Sequence, residues 1–232
     1  MKKILVLGSS GLLGLNLFKF LSQKKIYKIT RFKRDKKKNF NNFSYCNEYL
    51  EKKNFDIIIN LSAITNVDEC EKNFQKAEEI NHKLVKNICS IISKKNLNTF
   101  LIQLSTDQFY DKFIRNNENY SNLTNTYAKT KYFAEKEALK INSSILRTNF
   151  FGKSKNKKRL SFSDWIYKSL RSKQKINLAD DVLFSPLSIS SLCKLIFLVL
   201  KKKNNGIYNI GSKNGFSKYE FGIKLAKKLN LD

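Results

Sequence analysis

The sequence predicts an α/β fold built on a doubly wound parallel sheet, and three observations predict it. Short β-branched runs alternate with stretches of helical periodicity from residue 3 to residue 147. Gly8, Gly11 and Gly14 lie between the first apolar run and the first amphipathic stretch. The 232 residues are 41% hydrophobic and 12% aromatic, enough to fill a sizeable core and to exclude wholesale disorder.

Each element has its own signal. Residues 3–7 (KILVL) form a short strand of the buried type, and helical spacing follows the glycines as far as Ser22. Residues 26–30 (IYKIT) are the second strand, which makes the opening a βαβ unit. Residues 31–54 are polar and Lys/Asn-rich, a loop with a short helix. Residues 56–60 (DIIIN) place three consecutive isoleucines in the third strand. Helical spacing over 73–95 sets Ala77, Ile80, Leu84, Ile88 and Ile91 on one side. A fourth strand covers 99–104, a polar loop 111–123, a helix 126–140 and a further strand 144–147.

After Gly152 the texture changes. The run KSKNKK at 153–158 marks a loop and a domain boundary. Helices are expected near 163–173, 189–202 and 217–229, with the only proline, Pro186, and a short strand at 206–210 between them. The KKKNN run at 201–205 is a solvated turn, and Trp165 is expected in the core. The division is therefore 1–152, a sheet unit, and 153–232, a smaller lobe interleaved with it.

Charge and cysteine content exclude several function classes. The net charge is +26, but only six of the 45 basic residues are Arg. Bidentate recognition of phosphate and guanine favours Arg, so a dispersed Lys-rich surface does not mark a specific nucleic-acid binder. It does attract anionic ligands. Cys46, Cys70, Cys89 and Cys193 form no CxxC pair, and His82 is the lone histidine, which argues against a structural zinc site. The thiols are those of a reducing compartment. The longest apolar run near the C-terminus, 192–200, contains Lys194 and falls well short of the roughly 20 residues of a membrane span. No signal peptide is visible and a cytoplasmic location is expected.

The glycine triplet carries the first chemical inference. After a strand and at the start of a helix, Gly8 permits a tight turn, Gly11 lets backbone approach a pyrophosphate and Gly14 allows close helix–strand packing. The helix N-terminus offers free N–H groups and partial positive charge. Gly8, Ser10, Gly11, Leu12 and Gly14 are the candidate phosphate contacts of a dinucleotide. The second strand ends Thr30-Arg31-Phe32-Lys33-Arg34, with Arg31 where an NAD-binding chain carries an acidic residue for the ribose hydroxyls. Arg31 suits a 2′-phosphate, which puts NADP(H) ahead of NAD(H).

The second inference is a proton donor. Tyr127 and Lys131 stand four apart on a predicted helix, hence on one face. An ammonium beside a phenol is expected to lower its pKa and suit it to proton exchange with a ketone or alcohol. Ser105-Thr106-Asp107 is expected just past the fourth strand, at the carboxyl edge where open α/β sheets bind ligands.

The order of glycine triplet, strand followed by STD, and YxxxK on the next helix resembles the extended short-chain dehydrogenase/reductase superfamily. The similarity is closer to dTDP-4-dehydrorhamnose reductases. It rests on DIIINLSAITNVDECE at 56–71, LSTDQFYD at 104–111, NTYAKTK at 125–131 with Glu135, ILRT at 145–148 with Gly152, residues 180–186, and GIYNIG at 206–211 followed by SKYEF at 217–221. It implies a Rossmann-type fold and NADPH-dependent reduction of a 4-keto sugar nucleotide in surface polysaccharide biosynthesis. It also implies roles. Tyr127 would donate the proton, Lys131 would bind the nicotinamide ribose, Thr106 would hold the carbonyl oxygen with Asp107 in support, and Asn60, Ala63 and Lys131 would line the cofactor groove.

Departures are visible. Ala128 stands where a glycine often follows the tyrosine, SNLT at 121–124 replaces a proline-rich approach, and DVLFS at 181–185 lacks a glycine before Pro186. The chain ends at Asp232, which implies a truncated substrate lobe. Two alternatives follow: a sugar-nucleotide epimerase or dehydratase on the same fold, or a non-catalytic dinucleotide-binding regulatory subunit. Helices 73–95 and 126–140 are candidate surfaces for a homodimer.

Overall fold

The computed structural model describes residues 1–35, 38–110, 116–154 and 160–231. Parts of the loop expected at 111–123 and of the boundary at 153–158 lie outside the described residues.

Six parallel strands form the sheet, in the order β2-β1-β3-β4-β5-β9. These are β1 (Lys2–Leu7), β2 (Tyr27–Arg31), β3 (Ile57–Asn60), β4 (Phe100–Thr106), β5 (Ser143–Thr148) and β9 (Gly206–Ile210). The chain runs outward from β1 to β2 and then crosses back to β3, so the sheet reverses direction between β1 and β3. Ligand crevices open at such a reversal, beyond the carboxyl ends of the strands. β1 is in register with both neighbours, pairing Val6 with Arg31 on one side and with Ile59 on the other.

Alternate residues of each strand feed two separate cores, as a period of two requires. On one face Ile4, Val6, Ile57, Ile59, Ile102 and Leu146 pack against α1 (Leu12–Ser22) and α8 (Ile189–Lys202). On the other, Leu5, Leu7, Ile58, Leu101 and Ile145 pack against α2 (Phe43–Lys53), α5 (Leu84–Lys94) and α6 (Thr126–Ala138). Leu17 and Ile88 are fully buried, each contributing about 2 kcal/mol through burial. All four cysteines are free and buried, and burial pushes the Cys193 thiol up to about 11.

Several elements differ from expectation for local reasons. α2 runs 11 residues rather than forming a short helix, because the Asn42 side chain caps it by accepting the Tyr45 N–H. A six-residue helix, α3 (Val67–Lys72), is capped by Asn66 and had no long periodic signal. The helix expected over 73–95 is divided into α4 (Phe74–Glu78), a π turn (Glu79–Lys83) and α5. β4 continues through Thr106, so Ser105 and Thr106 belong to the strand instead of following it. Trp165, on α7 (Phe162–Arg171), is 39% exposed and stacks on Phe162, so it is not a core residue.

Residues beyond 152 complete the sheet as well as the lobe. β9 seals the β5 edge, from Ser144 paired with Gly206 to Thr148 paired with Ile210. The lobe joins short strands β6 (Phe150–Phe151), β7 (Leu183–Phe184), β8 (Leu187–Ser188) and β10 (Phe216–Ser217) to α7 and α9 (Lys218–Leu229). Phe162, Phe184 and Phe221 contact one another at its centre. Among the described residues no helix is long and apolar enough to cross a membrane, and no His/Cys/Asp/Glu cluster could hold a metal ion. His82 is held instead between Glu78 and Glu137.

Candidate active site

The turn after β1 is closed so tightly that side chains are excluded. Gly8 has φ +70°, and a Cβ there would meet the Leu61 carbonyl carbon at 2.7 Å. A Cβ on Gly14 would lie 2.3 Å from the Gly8 oxygen. The Gly11 N–H donates to that same oxygen at 3.1 Å, which folds the turn under the start of α1. Gly11 is the N-cap of α1 and supplies no side-chain cap, so the first helical N–H groups face the crevice. Ser10 and Gly11 are exposed and Leu12 is half-buried.

Arg31 ends β2 beside this turn. Its Nη2 donates to the Ser9 carbonyl at 3.2 Å, and its guanidinium lies 4.9 Å from the centre of the Phe18 ring. Ser9, which sequence reasoning missed, ties the turn to the end of β2 by donating from Oγ to the Phe32 carbonyl at 3.1 Å. The four residues from Arg31 to Arg34 carry no carboxylate.

The opposite wall corrects one expectation. Asn60 is fully buried and does not present its amide to the groove. It accepts the Ser62 N–H at 3.0 Å and donates to Gln103 Oε1 at 2.9 Å. Gln103 in turn donates to the Leu104 carbonyl at 2.9 Å. Asn60 therefore shapes the turn that Gly8 packs against, while Ala63 is half-buried within that turn. Gln103 was the readable signal, a lone amide inside the apolar run FLIQL.

Thr106, Tyr127, Lys131 and Asp107 assemble where β4 meets the start of α6. Asn125 caps that helix by accepting the Ala128 N–H at 2.8 Å, worth about 1 kcal/mol. Glu71 also grips its start, with Oε1 accepting the Thr126 N–H at 2.5 Å and Oε2 the Thr126 hydroxyl at 2.9 Å. Those bonds hold the Glu71 carboxyl below the usual range. Tyr127 is 7% exposed and its phenol lies near enough to the Thr106 side chain for that hydroxyl to act on its pKa. Thr106 Oγ1 also accepts the Gln108 N–H at 3.1 Å, so the hydroxyl shapes the strand end as well.

The electrostatics reverse another expectation. Lys131 does not lower the phenol pKa. Burial pushes Tyr127 upward, the Thr106 hydroxyl opposes that, and the Asp107 charge adds to it. The Lys131 ammonium instead donates to the Leu104 carbonyl at 2.6 Å. Burial lowers it to about 8, and the Glu135 carboxylate opposes that shift. Asp107 is raised to about 6 by desolvation, despite a 3.4 Å contact from Asn149 Nδ2 and the positive charge of Lys218. At neutral pH the site thus holds a protonated phenol within a polar, partly charged frame.

A groove of about 410 Å³ lies elsewhere, between α1 and the start of α8, lined by Lys19, Phe20, Gly152, Ser190 and Lys194 among others. None of the four catalytic candidates lines it. The chemistry of the Thr106–Tyr127 frame, rather than cavity size, identifies the site.

Comparison with known proteins agrees with this geometry. A family model described as RmlD substrate binding domain matches residues 1–232. The spore coat polysaccharide biosynthesis protein SpsK of Bacillus subtilis (strain 168) is 25% identical over 245 residues, covering 100% of this chain and 81% of that protein. The dTDP-4-dehydrorhamnose reductase of Bacillus anthracis str. Ames, solved in complex with NADP, is 25% identical, with TM-score 0.87 over 100% of this chain and 82% of its own. A hypothetical dTDP-4-dehydrorhamnose reductase from Sulfolobus tokodaii is 28% identical, with TM-score 0.86 over 100% and 83% of the two chains.

Proposed function

The chain belongs to the RmlD substrate binding domain family, and from that premise we propose that it is an NADPH-dependent oxidoreductase that reduces a 4-keto sugar nucleotide, in the manner of dTDP-4-dehydrorhamnose reductases. The observation that carries the reading is the buried Tyr127 phenol, set beside Thr106 at the end of β4 and kept protonated by burial.

The residues of the crevice fit a phosphorylated dinucleotide. Pyrophosphate needs backbone N–H groups that it can approach, and the closed glycine turn and uncapped α1 start supply them. A 2′-phosphate needs a cation, and Arg31 with Lys33 and Arg34 answers that need. The NADP bound to the Bacillus anthracis relative supports the same choice. The bound cofactor supplies the hydride.

The chain's own residues manage the proton. Thr106 and Tyr127 offer two hydroxyls to one carbonyl oxygen, which orients the ketone. Tyr127 gives its proton to that oxygen as negative charge develops there. Lys131, one helical turn away and anchored on the Leu104 carbonyl, is the residue for the cofactor ribose. Asp107, which Asn149 contacts at 3.4 Å, supports Thr106. The short strands outside the main sheet, with α7 and α9, are the lobe for the sugar nucleotide, and Trp165 is on its exposed side.

Following NADPH absorbance with a panel of 4-keto sugar nucleotides tests the reading. Consumption with at least one dTDP- or UDP-linked 4-keto sugar is expected. NADPH binding without turnover on any of them would overturn the reductase assignment and favour a regulatory role.

A further inference from the structure

Three consecutive residues at the end of β4 are each held by one residue of α6. Tyr127 is paired with Thr106, Lys131 donates to the Leu104 carbonyl at 2.6 Å, and Glu135 Oε1 accepts the Ser105 hydroxyl at 2.5 Å. The three helical positions are four apart and so share one face. Only the first two have a role in the proposed reaction.

Glu135 is fully buried, and so is its partner Arg147 of β5 at 2% exposure. Arg147 donates from Nη2 to Oε2 at 2.7 Å and from Nε to Oε1 at 3.1 Å. Its Nη1 reaches the Tyr110 hydroxyl at 2.9 Å and the Glu118 and Tyr120 carbonyls at 3.0 and 3.2 Å. A buried ion pair contributes little net stability compared with apolar residues of the same volume. It does fix geometry, and here it joins α6, β4, β5 and the segment 118–120 at a single point.

We propose that Glu135 is a positioning residue for the reduction. It registers α6 against the end of β4 through Ser105 and Arg147, and it places a carboxylate one helical turn from Lys131 to keep that amine an ammonium. This rests on the reductase reading for its kinetic consequence, but the charge of Lys131 can be read without substrate. The other ionisable groups around the amine are Tyr127 on the preceding turn, Asp107 past the end of β4, and Arg147 behind Glu135. Glu135 is the charge that raises the Lys131 amine against its burial.

The test is the titration of Lys131 in the whole chain, followed through lysine side-chain ¹⁵N resonances and assigned by the signal lost in Lys131→Arg. Glu135→Gln should lower the midpoint by about one pH unit or more, a tenfold change in the ionisation constant. Glu135→Gln leaves Arg147 without a counter-charge, so Glu135→Gln/Arg147→Met supplies a variant with neither charge buried. Glu135→Asp keeps the pair and should shift the midpoint the same way by less. With NADPH and substrate, the alkaline limb of kcat should move by the same amount as the amine midpoint. An unmoved Lys131 midpoint in whichever of these variants folds would overturn the proposal. A moved midpoint in a protein that reduces no keto sugar would uphold the action of Glu135 on Lys131 and overturn the reductase reading, and with it the kinetic role.

Discussion

Asn81 answers both backbone groups of Ile64. Its Oδ1 accepts the Ile64 N–H at 2.8 Å, and its Nδ2 donates to the Ile64 carbonyl at 3.2 Å. The same Nδ2 reaches Thr130 Oγ1 on α6 at 3.1 Å. Asn81 lies in the π turn, whose extra residue per turn aims a side chain that a regular helix would place elsewhere. The loop after β3 and α6 are thereby fixed to each other. Asn81→Ala leaves the buried Ile64 N–H unpaired, leaves its carbonyl only the weak Cys70 thiol donor and removes the bond to Thr130, at a cost of about 3 kcal/mol. Thermal unfolding should shift down by roughly 10 °C for a chain of this size.

Arg31→Ala should weaken NADPH binding by about tenfold or more and NADH binding by less than about threefold, as expected when one charge-assisted contact to a phosphate is lost. Titration of each coenzyme by fluorescence checks this. Equal losses would leave Arg31 as a brace between Ser9 and Phe18 only.

Tyr127→Phe keeps the ring and removes the proton. Turnover should fall by about 10²–10⁴-fold with little change in NADPH affinity, the usual range for loss of a general acid. Single-turnover kinetics with NADPH separates the two effects.

Asp107 gives a pH-dependent stability with a definite sign. Its folded pKa, about 6, is above the ordinary 3.8, because desolvation penalises the carboxylate. The folded state therefore holds the extra proton, and the group's contribution is fully present below pH 4 and lost as pH rises through 6. Asp107→Asn cannot ionise, so its stability relative to the parent should improve by about 2 kcal/mol between pH 4 and pH 7. Urea unfolding at the two pH values measures the difference.

The sheet was legible because its strands are short, β-branched and separated by helical spacing, and a glycine triplet read in that setting has few other meanings. Residues 57–59 and 4–7 needed no tertiary knowledge. The polar interior was harder. Asn60 reads as a groove residue by position, yet its neighbour across the sheet, Gln103, draws it inward. Nothing in one chain's spacing could reveal that pairing between β3 and β4. Tyr127 and Lys131 were found by their spacing. The direction of the phenol's pKa was not, because burial outweighs a nearby charge and burial is a property of the packed molecule. Trp165 was expected inside on residue type alone, but the aromatic lobe is too small to cover it.

β9 has a bearing on how the molecule is made. It pairs with β5, and Ser144 reaches across to the Asn204 carbonyl, 60 residues later in the chain. Until that strand leaves the ribosome, β5 has an open row of amides and carbonyls along one edge. A nascent chain released early in this interval would display a template for its own aggregation. β9 thus acts as the seam that makes the sheet safe in a crowded cell.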